Sequence, residues 1–417
     1  CPLTMTSFYD TQETRAPAER EAALLAALPA QIANARSNAP AFSTILADVD
    51  PASVTSRAAL ARLPVTRKYE LLERQQALRT DNVFGGFSAI GFGAAMPRVF
   101  CSPGPIYEPE SARPDYWRMA RAMYAAGFRP GELIHNSFSY HFVPAGSMME
   151  SGAHALGCTV FPGGTGQTEQ QVHAMAELKP AGYIGTPSFL KIIIEKAAEL
   201  GVPLPSVTKA LVSGDAFPPS LRDWFAQQGI AGYQCYATAD LGLIAYETSA
   251  REGLVLDEGV IVEIVRPGTG DPVPEGEVGE LVITTLNPDY PLVRFGTGDL
   301  SAVLPGTCPT GRTNTRIKGW MGRADQTTKV RGMFIHPAQV AAIAARFPQV
   351  LRARLVVTGE MANDQMVLRA ETAEFAGGLA ERLQDTIREV TKLRGEVVLV
   401  SPVSLPNDGK VIEDARS

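Results

Sequence analysis

Residues 182–213, GYIGTPSFLKIIIEKAAELGVPLPSVTKALVS, give the clearest indication of the fold of this chain. Two short apolar runs, at residues 182–185 and 210–213, flank a helical segment at residues 188–200. A strand, a helix and a second strand in this order are typical of a parallel β-sheet with a crossover helix on one face. Such sheets bind ligands beyond the carboxyl ends of their strands, so we expect a site in the loops that follow the apolar runs.

The same alternation extends in both directions from this unit. Apolar runs at residues 132–135 and 159–161 precede it, and a helical segment at residues 220–228 follows it. We therefore predict a doubly wound, mostly parallel sheet between about residues 130 and 236. Nearer the N-terminus, apolar residues at spacings of three and four predict an amphipathic packing helix over residues 18–37.

The pattern changes after Glu247. Two apolar runs at residues 260–265 and 280–286 flank a turn-rich segment with four glycines and three prolines, which predicts antiparallel β-structure. We predict an α/β protein with a large domain over residues 1–322 and a small α+β domain over residues 323–417. The elements predicted in the small domain are strands at 333–335, 351–358, 365–370 and 396–400 and helices at 337–347 and 373–392.

The composition disfavours several classes of protein. Of the 417 residues, 45% are hydrophobic and 20% are charged, which is close to the average for globular proteins. An uninterrupted apolar run of about 18 residues is absent, so we predict no membrane-spanning segment. The net charge of -6, without a block of Lys or Arg, disfavours nucleic acid as a partner and favours small molecules.

The five cysteines are widely spread and contain no CxxC pair, which indicates a reducing compartment. Because no basic segment followed by an apolar core opens the sequence, we expect a cytoplasmic protein. Cys308 lies in GTCPTGR without a second cysteine nearby. A closed zinc site needs about four ligands, so we predict none.

Three segments carry residues suited to chemistry. In LVRFGTGDL (residues 292–300), Asp299 follows a β-region, where a carboxylate accepts hydrogen bonds from two ribose hydroxyls. GRADQTTKVRGMFIHPAQV (residues 322–340) begins at the predicted domain boundary, and LPNDGK (residues 405–410) presents Lys410 after a turn. Each segment alone also fits an ordinary turn, a solvated hairpin or a surface lysine.

Together, in this order, the three segments resemble the adenylate-forming superfamily of acyl-CoA synthetases and, more closely, the phenylacetate-CoA ligase family. The resemblance extends over about residues 38–416. Other family-like stretches are RPGELIHNSFSYHFVPAG (129–146), FPGGTGQTEQQ (161–171), GTPSFL (185–190), VSGDAFPP (212–219) and VGELVITTL (278–286).

The resemblance implies an AMP-forming acid:CoA ligase that uses ATP, Mg²⁺ and coenzyme A, with a small C-terminal domain that moves between the two half-reactions. It implies that Asp299 binds the ribose, that Arg323 helps to fix it, and that Lys410 meets the carboxylate and the α-phosphate. Asp240 matches the acid that helps to hold Mg²⁺, here through a water. The residues matched to the adenine loop and the aromatic motif are Ser213, Gly214, Asp215, Ala216, Tyr236, Ala237 and Thr238.

Further implied positions belong to the small domain. Asp325 matches the hinge on which that domain turns. Lys329, Arg331 and Gly332 match the segment that lines the path of the CoA pantetheine arm after the rotation. The family also tends to pair, so a homodimer is expected.

The phosphate loop departs from the family pattern. The matching stretch is VFCSPGPIYEP (residues 99–109), in which Ser102 and Gly104 fit. Two prolines remove backbone N–H donors, and Glu108 adds a negative charge near the phosphates. Either other groups compensate and adenylation is retained, or adenylation is slow, uses another phosphate arrangement, or has been lost.

The acid-binding pocket is indicated by the aromatic patch Tyr140, His141 and Phe142, which with Ala237 could enclose a flat ring. Core packing is the alternative for such a patch. The leading hypothesis is therefore a ligase for an aryl or arylacetic acid, and His141 could bond a polar substituent. Two competing hypotheses remain: an adenylating enzyme with a non-CoA acceptor, and a degenerate non-catalytic binder of nucleotide or acyl-CoA.

Overall fold

A computed structural model of the protein describes residues 7–324, 326–331, 333–359, 364–375 and 377–416. Within these ranges every helix is too short or too polar to pass through a lipid bilayer.

The helices are α1 (Pro17–Asn38), α2 (Pro40–Ile45), α3 (Arg57–Ala61), α4 (Lys68–Ala77), α5 (Ala120–Ala125), α6 (Ala145–Leu156), α7 (Thr168–Leu178), α8 (Pro187–Leu200), α9 (Pro219–Gln227), α10 (Pro337–Ala345) and α11 (Leu379–Thr391). Short 3₁₀ turns lie at Thr11–Thr14 and Pro51–Ser53.

The strands are β1 (Thr66–Arg67), β2 (Arg98–Ser102), β3 (Ile106–Glu110), β4 (Leu133–Asn136), β5 (Thr159–Pro162), β6 (Gly182–Gly185), β7 (Lys209–Val212), β8 (Ala231–Thr238), β9 (Gly242–Tyr246), β10 (Leu254–Leu256), β11 (Val260–Val265), β12 (Gly279–Thr285), β13 (Phe295–Ser301), β14 (Val303–Leu304), β15 (Arg316–Ile317), β16 (Thr328–Val330), β17 (Met333–Ile335), β18 (Arg352–Thr358), β19 (Gln365–Glu371), β20 (Glu396–Val400) and β21 (Ile412–Asp414).

A nine-stranded sheet in the order β14-β15-β10-β9-β8-β7-β6-β4-β5 forms the largest layer. Strands β4 to β8 pair in parallel, and β9 then pairs antiparallel with β8. The unit β6-α8-β7 is the strand, helix and strand predicted from residues 182–213. The predicted α/β fold with a parallel sheet is confirmed, and the carboxyl ends of β7 and β8 carry two of the predicted site segments.

A second sheet, in the order β1-β13-β12-β11, presents Asp299. The strands β11, β12 and β13 pair antiparallel, as the sequence predicts. Arg294, only 1% exposed, anchors the start of β13 because its guanidinium donates to both oxygens of Glu263, at 2.9 and 3.0 Å. Such a buried pair costs desolvation that its hydrogen bonds must offset. Arg294 therefore holds the scaffold of the site rather than a ligand.

The C-terminal part contains the hairpin β16-β17 and a sheet in the order β20-β19-β18-β21, with a hydrophobic cluster of its own beside α10 and α11. Two features differ from the sequence predictions. The predicted helix at residues 373–392 begins only at Leu379, because Gly378 has φ of +82°, which lies outside the right-handed helical region. Strand β21, which pairs in parallel with β18, was not predicted.

Candidate active site

Asp299 is the centre of a cluster of hydrogen-bond donors. The Tyr236 hydroxyl donates to its Oδ2 at 2.6 Å, and Arg323 Nη1 and Trp320 Nε1 donate to its Oδ1 at 2.8 and 3.1 Å. Burial, and then the Asp299 charge, raise the pKa of Tyr236 well above its ordinary value. Asp299 lies inside β13 rather than at the strand end that its sequence context indicates. A carboxylate has about four acceptor positions, so a ligand hydroxyl would share Asp299 with these donors.

A cavity of about 300 Å³ brings together two cations that lie far apart in the sequence. Arg323 and Lys410 both line it, together with Gln326 and Thr328. Gln326 Nε2 donates to the Arg323 carbonyl at 2.7 Å, and Gln326 Oε1 accepts from the backbone N–H of Val411 at 3.0 Å. The segment between β15 and β16 and the C-terminal segment are thus held together beside this cavity.

The position of Lys410 is set by the turn that precedes it. Asn407 Oδ1 accepts from the Val278 backbone N–H at 2.9 Å, which fixes the turn against the start of β12. Gly409 has φ of +70°, and a Cβ there would lie 2.8 Å from Val278 Cγ1. Only glycine fits this position without strain. The side chain of Lys410 is exposed toward the cavity.

The predicted adenine loop follows β7. Ser213 Oγ donates to the Cys235 carbonyl at 2.9 Å, which ties the loop to β8. Asp215 accepts from the Ser188 hydroxyl, at the start of α8. Gly214, Asp215 and Ala216 are exposed, and Tyr236, Ala237 and Thr238 form the end of β8.

Asp240 lies in the turn between β8 and β9 and is only 4% exposed. Directly after this turn, Gly242 has φ of +73° and lies so close to Trp117 that a Cβ would lie 2.7 Å from the Trp117 carbonyl oxygen, so only glycine fits there. Asp240 Oδ2 accepts from Lys68 Nζ at 3.1 Å. Burial lowers the pKa of Lys68, but the Asp240 charge and hydrogen bond outweigh burial, so the pKa is raised. The other oxygen, Oδ1, is buried and has no hydrogen-bond partner among the described residues.

Glu108 is fully buried, and neither of its carboxylate oxygens has a hydrogen-bond partner among the described residues. Burial raises the pKa of Glu108 to about 8, and the neighbouring Asp240 charge adds to the increase. Ser102 and Lys68 act in the opposite direction and lower the pKa of Glu108. Ser102 therefore lies close to the Glu108 carboxylate, although the two groups do not have hydrogen-bond geometry. The hydroxyl of Tyr290 is also buried without a partner in the described residues, and both acids raise its pKa further after burial.

The predicted phosphate loop is a β-hairpin, β2-β3, rather than an open loop. Ser102, at the end of β2, is buried, and Gly104, in the turn, is exposed. The Tyr107 backbone, on β3, exchanges two hydrogen bonds with the side chain of Gln75, at 2.9 and 2.8 Å. Strand pairing and this contact with α4 fix the backbone on either side of Glu108.

The aromatic patch follows β4. The Tyr140 hydroxyl accepts from Asn136 Nδ2 at 2.8 Å and donates to Glu150 Oε2 at 2.7 Å, so its ring is held in place. His141 is exposed, and Phe142 is 79% exposed. Core packing therefore does not account for Phe142. Tyr140 itself is half-buried, so the patch offers one fixed ring and two exposed side chains, and its role as a substrate pocket stays a prediction.

Of the predicted CoA segment, Lys329 lies on β16 and Arg331 directly follows that strand. Lys329 Nζ lies 5.7 Å from the centroid of the Phe334 ring, and the Arg331 guanidinium donates to the Asp364 carbonyl at 2.8 and 3.0 Å. These contacts all lie within the C-terminal part of the chain. Asp325 and Gly332 are outside the described residues.

Comparison with known proteins decides the family. Residues 116–287 match the family described as AMP-binding enzyme. The phenylacetate-coenzyme A ligase of Thermus thermophilus is 31% identical over 346 residues, which cover 79% of this chain and 75% of that protein. The chain belongs to the phenylacetate-CoA ligase family. The ligase of Aromatoleum evansii is 28% identical over 382 residues, covering 86% of this chain and 84% of the relative.

Solved structures support the same fold for this phenylacetate-CoA ligase family member. An open conformation of 2-hydroxyisobutyryl-CoA ligase, in complex with 2-HIB-AMP and CoA, is 24% identical with a TM-score of 0.73, and the match covers 97% of this chain and 93% of that one. The same enzyme in its postadenylation state is 25% identical with a TM-score of 0.73, and the match covers 99% and 94%. The chain is accordingly an AMP-forming acyl-CoA ligase, of a family whose substrates include ATP and CoA.

Three side chains of the site were missed by sequence reasoning. From segments outside the recognised motifs, Lys68 bonds to Asp240 and Trp320 bonds to Asp299. Tyr290 lies close enough for the charges of Asp240 and Glu108 to raise its pKa. A lysine directly after a short strand is too common a pattern to single out. Only the folded chain brings these residues to the acids.

A second, larger cavity of about 440 Å³ does not belong to this site. Val207 and Ile230, which line it, precede β7 and β8. It therefore lies at the amino-end edge of the parallel strands, opposite the loops that carry Ser213 and Asp240.

Proposed function

We propose that this ligase activates an aryl or arylacetic carboxylic acid with ATP, forming an acyl-adenylate, and then transfers the acyl group to CoA. The observation that carries the proposal is the meeting of Arg323 and Lys410 at one cavity, with Arg323 bonded to the Asp299 cluster. Adenylation needs cations at that point, because a carboxylate and a triphosphate, both negative, must approach each other.

In this proposal Asp299 accepts from the ribose hydroxyls and Arg323 keeps its carboxylate in position. Lys410 meets the acid carboxylate and the α-phosphate. The loop of residues 213–216 and the end of β8 pack against the adenine. The catalytic effect then comes mainly from positioning and from stabilising charge, as is general for phosphoryl chemistry.

The buried acids fit a divalent cation. Asp240 Oδ1 and both Glu108 oxygens are acceptors without partners in the described residues, and oxygen ligands of this kind suit Mg²⁺. We assign Asp240 to hold the ion, which when bound offsets the charge that gathers on the leaving pyrophosphate. Ser102 and Gly104 would face the phosphates from the hairpin.

The choice of an aromatic acid is supported by the relatives, which are named as phenylacetate-CoA ligases. It is also supported by the patch after β4, where the Tyr140 ring is held and the exposed Phe142 ring can contact a ligand. The Phe142 carbonyl accepts from the Cys101 backbone N–H at 2.7 Å, which ties the patch to the phosphate hairpin. An acid bound at the patch would thus lie beside the proposed phosphate site.

For the second half-reaction we propose that residues 323–417 move as a lid about Asp325. Lys329, Arg331 and Gly332 would then line the path of the CoA arm. A homodimer in the cytoplasm stays a prediction, for which sedimentation of the purified chain and its location in the cell are the measurements.

The deciding experiment is carboxylate-dependent ATP–pyrophosphate exchange, followed by detection of the CoA thioester. Phenylacetate, benzoate and their hydroxylated forms should support exchange better than short aliphatic acids. Lys410→Ala should reduce exchange at least about a hundredfold, in line with the loss of one group that stabilises transition-state charge. The exposed Lys318→Ala is the matched control and should keep full activity.

The outcomes separate the remaining alternatives. Exchange without consumption of CoA would indicate another acceptor. An aliphatic acid as the best substrate would overturn the aromatic assignment, and near-normal exchange in Lys410→Ala would remove the role given to that lysine.

A further inference from the structure

Two acids from distant segments meet in the interior of this ligase. Glu108 lies on the phosphate hairpin and Asp240 in the turn after β8, and the Asp240 charge is close enough to act on Glu108. Three of their four carboxylate oxygens have no hydrogen-bond partner among the described residues. Burying a carboxylate in this way is costly, so such groups are normally paired or coordinate a metal.

We propose that Glu108 and Asp240 together form a divalent-cation site, in which Glu108 is a ligand supplied by the altered phosphate hairpin. The inference rests on the proposed function for one point only, that the bound ion then contacts the phosphates of ATP. The cation itself is recognised by side chains of this chain alone.

The chemistry of the donors favours a hard cation over other ligands. Acceptor oxygens from two carboxylates would repel phosphate or a second carboxylate, whereas Mg²⁺ and Mn²⁺ bind through one or two carboxylates and complete their shell with water or phosphate. No group of three or more His, Cys, Asp or Glu in the described ranges could hold a metal alone. A site with two acids therefore leaves positions open for a nucleotide.

Lys68 does not fill this role. Its Nζ bonds to Asp240 Oδ2, and its side chain is 36% exposed, whereas that of Asp240 is 1% exposed. Lys68 balances one charge and leaves Asp240 Oδ1 and Glu108 without a partner in the described part of the chain. It should hold Asp240 in place until the cation arrives, and then compete with the cation for that carboxylate.

The site also accounts for the composition of the hairpin. Pro103 and Pro105 cannot donate backbone hydrogen bonds to phosphate oxygens. A metal ion held by Glu108 from the same hairpin would attach the phosphates through the cation instead. The hairpin would thus bind the phosphates through the metal ion instead of through backbone N–H groups.

The test is a titration of the full chain with Mn²⁺ in the absence of nucleotide. Binding is measured as the loss of the electron paramagnetic resonance signal of the free ion. Glu108→Gln and Asp240→Asn should each weaken binding roughly tenfold or more, the effect typical of losing a group that supports a metal site. Glu108→Asp, which keeps the charge, should fall between Glu108→Gln and the unaltered chain. Lys68→Met should tighten binding, because a competing cation is removed. The exposed Glu73→Gln, on α4, is the control and should bind as the unaltered chain does.

The inference is overturned if the unaltered chain does not bind millimolar Mn²⁺, or if Glu108→Gln binds as tightly as the control. If circular dichroism shows that Glu108→Gln does not fold, Glu108→Asp is used instead, and Mn²⁺ binding as tight as in the control overturns the inference. This result does not depend on turnover. If Mn²⁺ binding depends on Glu108 but no ATP–pyrophosphate exchange occurs, the cation site is supported and the proposed function is refuted. If exchange occurs but Mn²⁺ binding does not depend on Glu108, the proposed function is supported and the cation site is refuted.

Discussion

Arg323 and Asp299 are joined twice, by a 2.8 Å bond between Nη1 and Oδ1 and by an isolated β-bridge between their backbones. The residue predicted to bind the ribose is thus connected directly to the start of the C-terminal part of the chain. A substitution at Asp299 should therefore change both the affinity for the nucleotide and the position of the C-terminal part of the chain.

Asp299→Asn should raise the KM for ATP in the exchange assay roughly ten- to a hundredfold, because charged hydrogen bonds worth about 1.5–3 kcal/mol are lost. Tyr236→Phe is the control, since it removes a donor that competes for Asp299 Oδ2 and leaves the charge in place. It should change the KM for ATP much less. Equal effects of the two substitutions would contradict ribose binding by Asp299.

Phe142→Ala should raise the KM for the acid and leave the KM for ATP unchanged. A ring contact is worth about 0.5–1.5 kcal/mol, which corresponds to roughly a two- to tenfold change. Because Phe142 is 79% exposed, the free energy of unfolding should shift by less than about 0.5 kcal/mol. Phe92→Ala, at a side chain that is 76% exposed, is the matched control and should alter neither KM.

Asp115 should make stability fall as pH rises. Burial raises the pKa of its carboxyl from 3.8 to about 6 in the folded chain, and Asp257 adds to the increase. The folded state therefore holds the proton more tightly, so the free energy of unfolding decreases between pH 3.8 and about 6 and the loss is complete above that range.

Asp115→Asn should consequently raise the free energy of unfolding by about 1–2 kcal/mol at pH 8 and have little effect at pH 4. Asparagine suits the backbone there, where φ is +48°, and can still accept from the Ala120 N–H. Urea titrations at both pH values measure the effect, with the exposed Asp223→Asn as control. An equal change at pH 4 and pH 8 would contradict the ionisation argument.

Glu108→Gln should stabilise the metal-free protein while it impairs exchange. Because burial raises the pKa of Glu108 from 4.5 to about 8, folding at pH 7 requires this carboxylate to take up a proton, whereas an amide needs none. We therefore expect a gain of about 1–3 kcal/mol in the free energy of unfolding at pH 7 and little change near pH 4. Thermal unfolding in the presence of a chelator measures it. A loss of that size would mean that Glu108 is paired in solution.

Prediction from sequence worked where one local signal determines the structure. The β6-α8-β7 unit has apolar runs and a helical segment of the expected lengths, and α10 begins at Pro337, as its pattern indicates. The hairpin β2-β3 and strand β21 were not predicted, because their pairing depends on partners that short segments do not reveal.

The same limit applies to the site. Asp299, Arg323 and Lys410 stand in motifs that are recognisable along the chain, and their roles remain predictions for the experiments above. The buried environment of Glu108 has no such signal. Its charge suggested repulsion of phosphate, whereas its burial beside Asp240 and Lys68 is a property of the folded chain only.

Strand β21 begins two residues after Lys410 and is joined to the C-terminal sheet by its pairing with β18. The lysine is therefore not on a loose tail but on a short arm with both ends tied, one at Val278 and one at Leu355. If the C-terminal part moves as proposed, we expect this arm to carry Lys410 with it, because β21 would have to move together with β18.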